Sequence, residues 1–395
     1  MAVRASPDLD RDFTAEEQRR ERTFRRRTRP WGLAGIALGV LVPTVVAASG
    51  AAAAVADGFG APWVAVLAVV TLVLGTGRVL TLPGAVAVRR ESRAVGLAAG
   101  GWGRWWRDLA VSFLLGWALT CAASLAWVAA AGALALWSVV LAFAAAAVVA
   151  LLSFVVPVLV EPLFARFEPL ADGDLRDRLL ALAERAEVPV RDVLVADASR
   201  RTTALNAYVS GLGPTRRIVV HDTLVDRGLD SETAAVVSHE LGHVVAHDVR
   251  TGTLLAAAGA ALGVMVAAVL TSWAPLLQAA HASGPDDPAV VALLLALGAW
   301  AGLLAAPLQS AVSRRVERRA DAFALDLARD PVTIASMHRS LAITNLAPLR
   351  PVRLLHLWFG THPTSPERIE AARRWAVAHG SPPVPDLSPP SDPQR

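Results

Sequence analysis

The sequence has little charge, a single cysteine and no lysine. Only 18% of its 395 residues are charged, against about 25% in a typical soluble domain, and all 38 basic residues are arginines. The lone cysteine, Cys121, excludes an internal disulfide and any metal site built from several cysteines. Low charge and a mean hydropathy of +0.46 argue against an ordinary soluble domain and favour a membrane protein.

Long apolar runs occupy much of the chain. Tryptophans near the ends of these runs, such as Trp31 and Trp102, are typical of the membrane–water interface. Six runs reach the length of about 20 residues that an α-helix needs to cross a bilayer. The sequence therefore predicts a mainly α-helical bundle with six transmembrane helices, near residues 32–56, 61–83, 108–132, 134–160, 252–275 and 289–310.

Arginines cluster on one side of the predicted membrane. They are dense in "RRERTFRRRTR" before the first run, in "RRESR" and "GRWWRD" of the second loop, and in "SRRVERR" after the sixth run. The connectors at 57–60 and 276–288 contain none. Because basic loops tend to stay in the cytoplasm, we expect both termini and the 161–251 segment to face the cytoplasm, with the chain in the plasma membrane.

The alternation of polar and apolar segments predicts six regions. In the first polar block, "NAYVSG" and "RRIVVHDTLV" are β-rich and are joined by a Gly-Pro turn, which indicates a small β-sheet. The expected regions are a disordered cytoplasmic tail (1–30), four transmembrane helices (31–160), a cytoplasmic block (161–251), two transmembrane helices (252–310), a second cytoplasmic block (311–380) and a disordered proline-rich tail (381–395).

The stretch "SHELGHVVAHD" carries the clearest chemical signal. His239 and His243 are four residues apart, so on a helix both imidazoles lie on one face, with Glu240 beside them. This H-E-x-x-H pattern is typical of zinc metalloproteases. In these proteins two imidazoles and a third ligand leave one coordination position open for water, and the glutamate serves as general base. A third ligand is needed to complete the site.

A second predicted helix, "SRRVERRADAFALDLA", offers that ligand. Glu317 is the natural candidate, and Asp321, four residues later, can accept a hydrogen bond from a ligating imidazole and fix its tautomer. The alternative is that both carboxylates pair with neighbouring arginines, such as Arg314 or Arg318, on a solvated helix face. Spacing alone leaves both interpretations open.

Taken together, these motifs resemble the integral-membrane zinc metalloproteases of family M48, most closely the Ste24 or CAAX prenyl protease 1 type. The segment from "EPLFARFEPL" to "RRIVVHDTL" is similar to the part of the family ahead of the zinc helix. The motifs "SHELGHVVAHD", "SRRVERRADAFA" and "THPTSPERI" match its later blocks in the same order. The resemblance covers residues 75 to 378.

The resemblance implies a set of metal ligands and a base. His239, His243 and Glu317 would bind one Zn²⁺ ion per chain. Glu240 would act as the general base, and Asp321 would orient a ligating imidazole.

The resemblance also implies roles around the metal. Asn206, Ala207 and Tyr208 of "NAYVSG" would receive the substrate as an added β-strand, held by main-chain hydrogen bonds. His362 would stabilise the oxyanion, as a preorganised donor does. Arg368 would brace the site through a carboxylate.

We therefore predict a multi-span helical bundle with a cytoplasmic, zincin-like domain, acting as a zinc metalloendopeptidase on membrane-associated peptides or proteins. The expected partners are that substrate and the lipid bilayer, without nucleic acid. Alternatives are a quality-control protease of broad specificity, a six-span transporter and an inactive zinc-binding scaffold. The Ste24 type has seven spans, so the six counted here predict that the family's first span is absent. The prediction covers protease chemistry and not a CAAX substrate.

Overall fold

The computed structural model describes residues 9–211, 213, 216–227 and 230–388. Over these residues the chain forms fifteen α-helices and four β-strands. The helices are α1 (Ala15–Ala48), α2 (Ala51–Asp57), α3 (Pro62–Ala94), α4 (Trp102–Ala133), α5 (Trp137–Val155), α6 (Glu161–Phe164), α7 (Asp174–Arg185), α8 (Asp222–Val225), α9 (Asp230–Val245), α10 (Asp248–Leu270), α11 (Ala274–Ala279), α12 (Val290–Ala328), α13 (Pro331–Thr344), α14 (Arg353–Phe359) and α15 (Ser365–Ala378). The strands are β1 (Phe167–Pro169), β2 (Asp192–Ala196), β3 (Ala207–Ser210) and β4 (Arg217–His221).

Five helices in the described part of the chain are long and apolar enough to cross a membrane, namely α1, α3, α4, α10 and α12. The predicted run 134–160 forms α5, whose apolar part, Trp137–Ser153, is shorter than the other five. The backbone changes to a π-helical turn at Val156–Val160, so the continuous apolar run overestimates the length of this helix. The first run also divides, because Gly50 adopts a left-handed conformation (φ 74°) between α1 and α2. A multi-span helical bundle is confirmed.

The N-terminal segment differs from the disordered tail expected for residues 1–30. Phe13 is fully buried in the core of the polar part of the protein. Asp12 is also buried, and its carboxylate accepts a hydrogen bond from Arg373 in α15 at 2.8 Å. The prediction of disorder is wrong for residues 9–30, because contacts with α15 hold a segment whose own composition is polar. Residues 1–8 lie outside the described residues.

The proline-rich C-terminal segment is ordered as far as the structure describes it. Val384 is buried in the same core as Phe13. The Ser388 amide donates to the carbonyl of Arg11 at 3.1 Å. Disorder is therefore wrong for residues 381–388, where an extended chain lies against the N-terminal segment. The predicted tail beyond residue 388 is outside the described residues.

The small β-sheet expected in the first polar block is confirmed. Its strand order is β1-β2-β4-β3, with β2 and β4 parallel and the two outer strands antiparallel to their neighbours. β3 lies at the edge of this sheet and pairs with β4 only, among the described strands. One side of the β3 backbone is therefore available for another strand.

Close packing of α9 against α12 sets the position of the site. A Cβ atom at Gly242 of α9 would lie 3.1 Å from the Phe323 ring and 3.2–3.3 Å from the backbone of Ala320 in α12. A larger residue would have to push the helices apart, so glycine allows this approach. Glu317, one turn before Ala320 on α12, thereby faces the histidines of α9.

Candidate metal site

Three potential ligand atoms meet between α9 and α12. His239 Nε2 and His243 Nε2 are 3.1 Å apart. The Glu317 carboxylate lies 3.4 Å from His239 Nε2 and 3.6 Å from His243 Nε2. In a tetrahedral zinc site with bonds of about 2.0–2.1 Å, neighbouring ligand atoms are roughly 3.3 Å apart. The three observed separations are therefore close to the ligand–ligand distances of a tetrahedral zinc site.

The donor set in this site suits a cation. His239 Nδ1 lies 2.9 Å from Asp321, and His243 Nδ1 lies 2.9 Å from Asp248. A carboxylate accepts hydrogen bonds, so each ring in its neutral form carries its proton on Nδ1 and presents a lone pair at Nε2. Glu317 Oε2 is buried and accepts no hydrogen bond from a described residue. Two lone pairs and a carboxylate oxygen facing one point repel one another unless a cation lies between them.

Protonation competes with a cation at His239. Burial opposes the imidazolium form, but the adjacent carboxylates of Asp321 and Glu317 outweigh burial and raise the pKa of His239 to about 9. An ion that binds Nε2 therefore displaces a proton, as metal binding to imidazole does in general.

Glu240 is a second carboxylate near the imidazoles. Its oxygen and the nitrogens of His239 and His243 all lie within 4.8 Å of one another. Burial raises the pKa of Glu240, and the two histidines oppose this rise. Glu317 approaches both Nε2 atoms within 3.6 Å, so a carboxylate from α12 completes the cluster on the side of these two nitrogens.

Asp321 and Arg368 form the buried support behind His239. Arg368 Nε donates to Asp321 Oδ2 at 2.8 Å, and its Nη2 lies 3.6 Å from Glu317. The guanidinium therefore links the carboxylate that orients His239 to the carboxylate expected to bind the metal. Both side chains thus lie next to the His239 ring.

His338 is a member of this cluster that the sequence analysis missed. Its Nε2 lies 3.6 Å from Asp321 Oδ1. Burial holds the pKa of His338 well below its usual value, so the ring is neutral. A lone histidine on a largely apolar helix has no spacing signal, so only the tertiary structure identifies it.

Asp248 was also missed, although it is the last residue of the stretch "SHELGHVVAHD". It supports His243 as Asp321 supports His239, and Arg319 pairs with its other oxygen. Five residues separate Asp248 from His243, which is the wrong spacing for one helix face. The helix is interrupted between them at His247, which has a φ of 54°.

A cavity of about 440 Å³ opens onto the metal site. His362 lies in its wall, with Nε2 3.4 Å from Glu317 and Nδ1 2.8 Å from the Thr361 hydroxyl. Burial lowers the pKa of His362, although Glu317 opposes this. A neutral ring there can donate one hydrogen bond towards the cavity. The apolar part of the wall includes Val236, Met337, Leu341 and Phe359.

The three residues expected to receive substrate have different environments. Asn206 lines the cavity. Ala207 is buried in the core, and the Tyr208 hydroxyl donates to Glu161 at 3.4 Å. The side chains of Ala207 and Tyr208 are thus engaged within the protein, whereas Asn206 is exposed to the cavity. The edge of β3 offers main-chain groups.

Asn345, which directly follows α13, binds the backbone just before β3. Its Oδ1 accepts from the Leu205 amide at 3.0 Å, and its Nδ2 donates to the Leu205 carbonyl at 3.2 Å. The side chain therefore satisfies both backbone groups of the residue before Asn206. Nothing in local spacing indicates this contact, which joins residues 140 positions apart.

An H-E-x-x-H helix that faces a carboxylate-bearing helix, beside a bundle of membrane-spanning helices, defines the class of membrane-integral metallopeptidases. The model of peptidase family M48 matches residues 169–376, and the chain belongs to this family. The resemblance of the motifs to this family is thereby confirmed.

Comparisons with individual proteins agree with this family assignment. The chain is 33% identical over 225 residues to the uncharacterized metalloprotease YhfN of Bacillus subtilis, covering 56% of this chain and 53% of that protein. It is 42% identical over 90 residues to CAAX prenyl protease 1 of Saccharomyces cerevisiae, covering 22% and 20% of the two chains. The matches thus span about half the length of the curated relatives or less. The fold is similar to the crystal structure of S. mikatae Ste24p, with a TM-score of 0.75, 20% identity, and coverage of 94% of this chain and 92% of that one.

Proposed function

We propose that this protein is a membrane-embedded zinc metalloendopeptidase that cleaves membrane-associated peptides or proteins. One observation carries the proposal: Nε2 of His239, Nε2 of His243 and the Glu317 carboxylate lie 3.1–3.6 Å from one another, and His239 and Glu317 line a cavity. Membership of family M48 supports it. The resident metal is Zn²⁺, one ion per chain, because two imidazoles and one carboxylate are a ligand set that zinc favours.

The chemistry divides between the ion and the protein. A bound zinc ion would supply Lewis acidity, which polarises the scissile carbonyl and the attacking water. Glu240 accepts the proton of that water and returns it to the leaving amine. Its half-buried position and raised pKa suit both steps, because a carboxylate poised closer to neutral pH accepts and releases a proton more readily.

His362 and Arg368 have separate roles in this proposal. His362 faces the cavity beside Glu317 and donates a hydrogen bond to the oxyanion that develops as the water attacks. Arg368 does not contact substrate. It holds Asp321 and Glu317 in place and so keeps His239 in the orientation that the metal requires.

The substrate binds in an extended conformation along the free edge of β3, next to Asn206. Edge-strand pairing uses main-chain hydrogen bonds and accepts many sequences, which favours a quality-control protease of broad specificity. The apolar wall of the cavity adds a preference for an apolar side chain near the scissile bond.

The site lies at the membrane surface in this proposal. α12 continues from the apolar run ending at residue 310 to Glu317 without interruption, a distance of about 10 Å at the rise of an α-helix. The clustering of arginines supports a cytoplasmic position for this face and for both termini. The proposed location of the chain is the plasma membrane. A membrane-associated peptide therefore reaches the metal without leaving the bilayer surface.

Replacing Glu240 by glutamine tests the proposal. Glu240→Gln should lower the cleavage rate of a fluorogenic peptide by about 10²–10⁴-fold, the usual contribution of a general base, while zinc content stays near that of the wild type. Glu184→Gln, at an exposed position on α7, is the matched control and should cleave normally. Full cleavage by Glu240→Gln would remove Glu240 as the base.

A further inference from the structure

The short helix α14 carries several exposed apolar side chains. Leu354 is 73% exposed, and Leu357 and Trp358 are also exposed. Val352, just before the helix, is 48% exposed. A continuous apolar surface of this kind indicates a binding face in a native protein.

Contacts of Trp358 show what lies beside this helix. Its indole Nε1 donates to the carbonyl of Leu303 in α12 at 2.9 Å. In an unbroken α-helix that carbonyl would accept from the amide of residue 307, but residue 307 is proline and has no N–H. Leu303 belongs to the apolar run 289–310, and an unsatisfied carbonyl is costly in hydrocarbon. Trp358 replaces the hydrogen bond that Pro307 removes.

Two further contacts fix α14 along the same stretch of α12. The Ser310 hydroxyl donates to the Trp358 carbonyl at 2.9 Å. Arg314 donates to the carbonyls of His356, at 3.0 Å, and of Gly360, also in hydrogen-bond contact. α14 is therefore docked on α12 between Leu303 and Arg314, which is the transition from the apolar run to its first arginine.

We propose that α14 is an interfacial membrane helix, which buries Leu354 and Leu357 among lipid headgroups and upper acyl chains. The partner is the phospholipid bilayer itself. Arg350 and Arg353 are exposed at the start of the helix and suit anionic headgroups, as basic residues beside interfacial apolar surfaces do. Tryptophan is also typical at this depth.

This placement has a consequence for the cavity at the metal site. Phe359, the last residue of α14, lines that cavity together with Gly360, Thr361 and His362 directly after the helix. The membrane interface thus forms the outer side of one cavity wall. The placement of α14 does not depend on the proposed peptidase activity, since it rests on the contacts of Trp358 and Ser310.

Site-specific fluorescence in proteoliposomes tests the inference without measuring activity. In a Cys121→Ala background, which removes the single native cysteine, Leu354→Cys is labelled with an environment-sensitive nitrobenzoxadiazole probe. The full chain is reconstituted in phosphatidylcholine with phosphatidylglycerol. Quenching is measured with iodide in the buffer and with a phospholipid spin-labelled near the headgroup. Val377→Cys on α15 is the matched control, because Val377 is 80% exposed and lies on a helix whose side-chain contacts with α12 are at Glu317, Asp321 and Asp326, beyond the apolar run.

We expect the probe at 354 to show blue-shifted emission, quenching by the spin-labelled lipid and loss of iodide quenching, whereas the probe at 377 is quenched by iodide alone. A probe at 354 that responds like the one at 377 would overturn the inference. Leu357→Cys provides a second position if labelling at 354 prevents folding, with the same two outcomes. If the probe at 354 reports the interface but Glu240→Gln cleaves the peptide at the full rate, the membrane contact stands. Only the proposed peptidase mechanism is then rejected.

Discussion

Replacing Asp248 by asparagine should weaken metal binding without unfolding the protein. The Asp248 carboxylate accepts the Nδ1 proton of His243 at 2.9 Å and is largely buried, with 12% of its side chain exposed. This hydrogen bond fixes the ring tautomer and orientation that present Nε2 to the metal. Asparagine keeps the shape of the side chain but removes its charge, so it holds the Nδ1 proton less strongly.

The expected loss follows from the position of Asp248 behind a ligand. Residues in this position typically contribute a factor of about 10–100 to metal affinity, which corresponds to roughly 1.4–2.8 kcal/mol. We expect a smaller stability effect in the absence of metal, because the pair between Asp248 and Arg319 is half exposed on the arginine side and such pairs contribute about 0–1 kcal/mol.

Competition between the protein and a fluorescent zinc chelator measures this effect directly. Arg319→Gln is the matched control, since it removes the partner of Asp248 but leaves the hydrogen bond to His243 in place, and its zinc affinity should change by much less. An Asp248→Asn variant that binds zinc as tightly as the wild type would refute the assignment of Asp248 as the support of His243. So would an Arg319→Gln variant that loses as much affinity as Asp248→Asn.

Two further predictions concern the N-terminal segment and pH. Phe13→Ala should lower the free energy of unfolding by about 3–5 kcal/mol, because Phe13 is fully buried; denaturant unfolding measures it, and a change within error would show that the segment does not belong to the core. Zinc affinity should fall as pH decreases below the pKa of His239, about 9, since zinc must displace a proton there, by up to about tenfold per pH unit. Titration calorimetry in buffers of different ionisation enthalpy should detect proton release near pH 7, and none would contradict this competition.

Local patterns in the sequence predict the parts of the site that lie within one helix. The four-residue spacing of His239 and His243 is enough to place both rings on one face, and the structure has Nε2 of one ring 3.1 Å from that of the other. For Glu317, spacing alone leaves two interpretations open, a metal ligand and a solvated carboxylate. Its place opposite α9 depends on the close approach at Gly242, which no periodicity shows.

Contacts between distant parts of the chain account for the predictions that were wrong. Residues 9–30 have the composition of a solvated tail, yet Asp12 pairs with Arg373, 361 positions away. Pairing of this kind depends on the tertiary fold, and the composition of a segment carries no information about it. Asp248 was missed for a related reason, because the break at His247 changes the geometry that helical spacing assumes.

Zinc content of a ligand variant tests the central claim most directly. The wild-type protein, purified in detergent and dialysed against buffer with trace zinc, should contain one zinc ion per chain by mass spectrometry of the metal. Glu317→Ala should contain almost none at the same zinc concentration, while the exposed control Glu184→Gln should match the wild type. Full zinc occupancy in Glu317→Ala would contradict a site shared between α9 and α12.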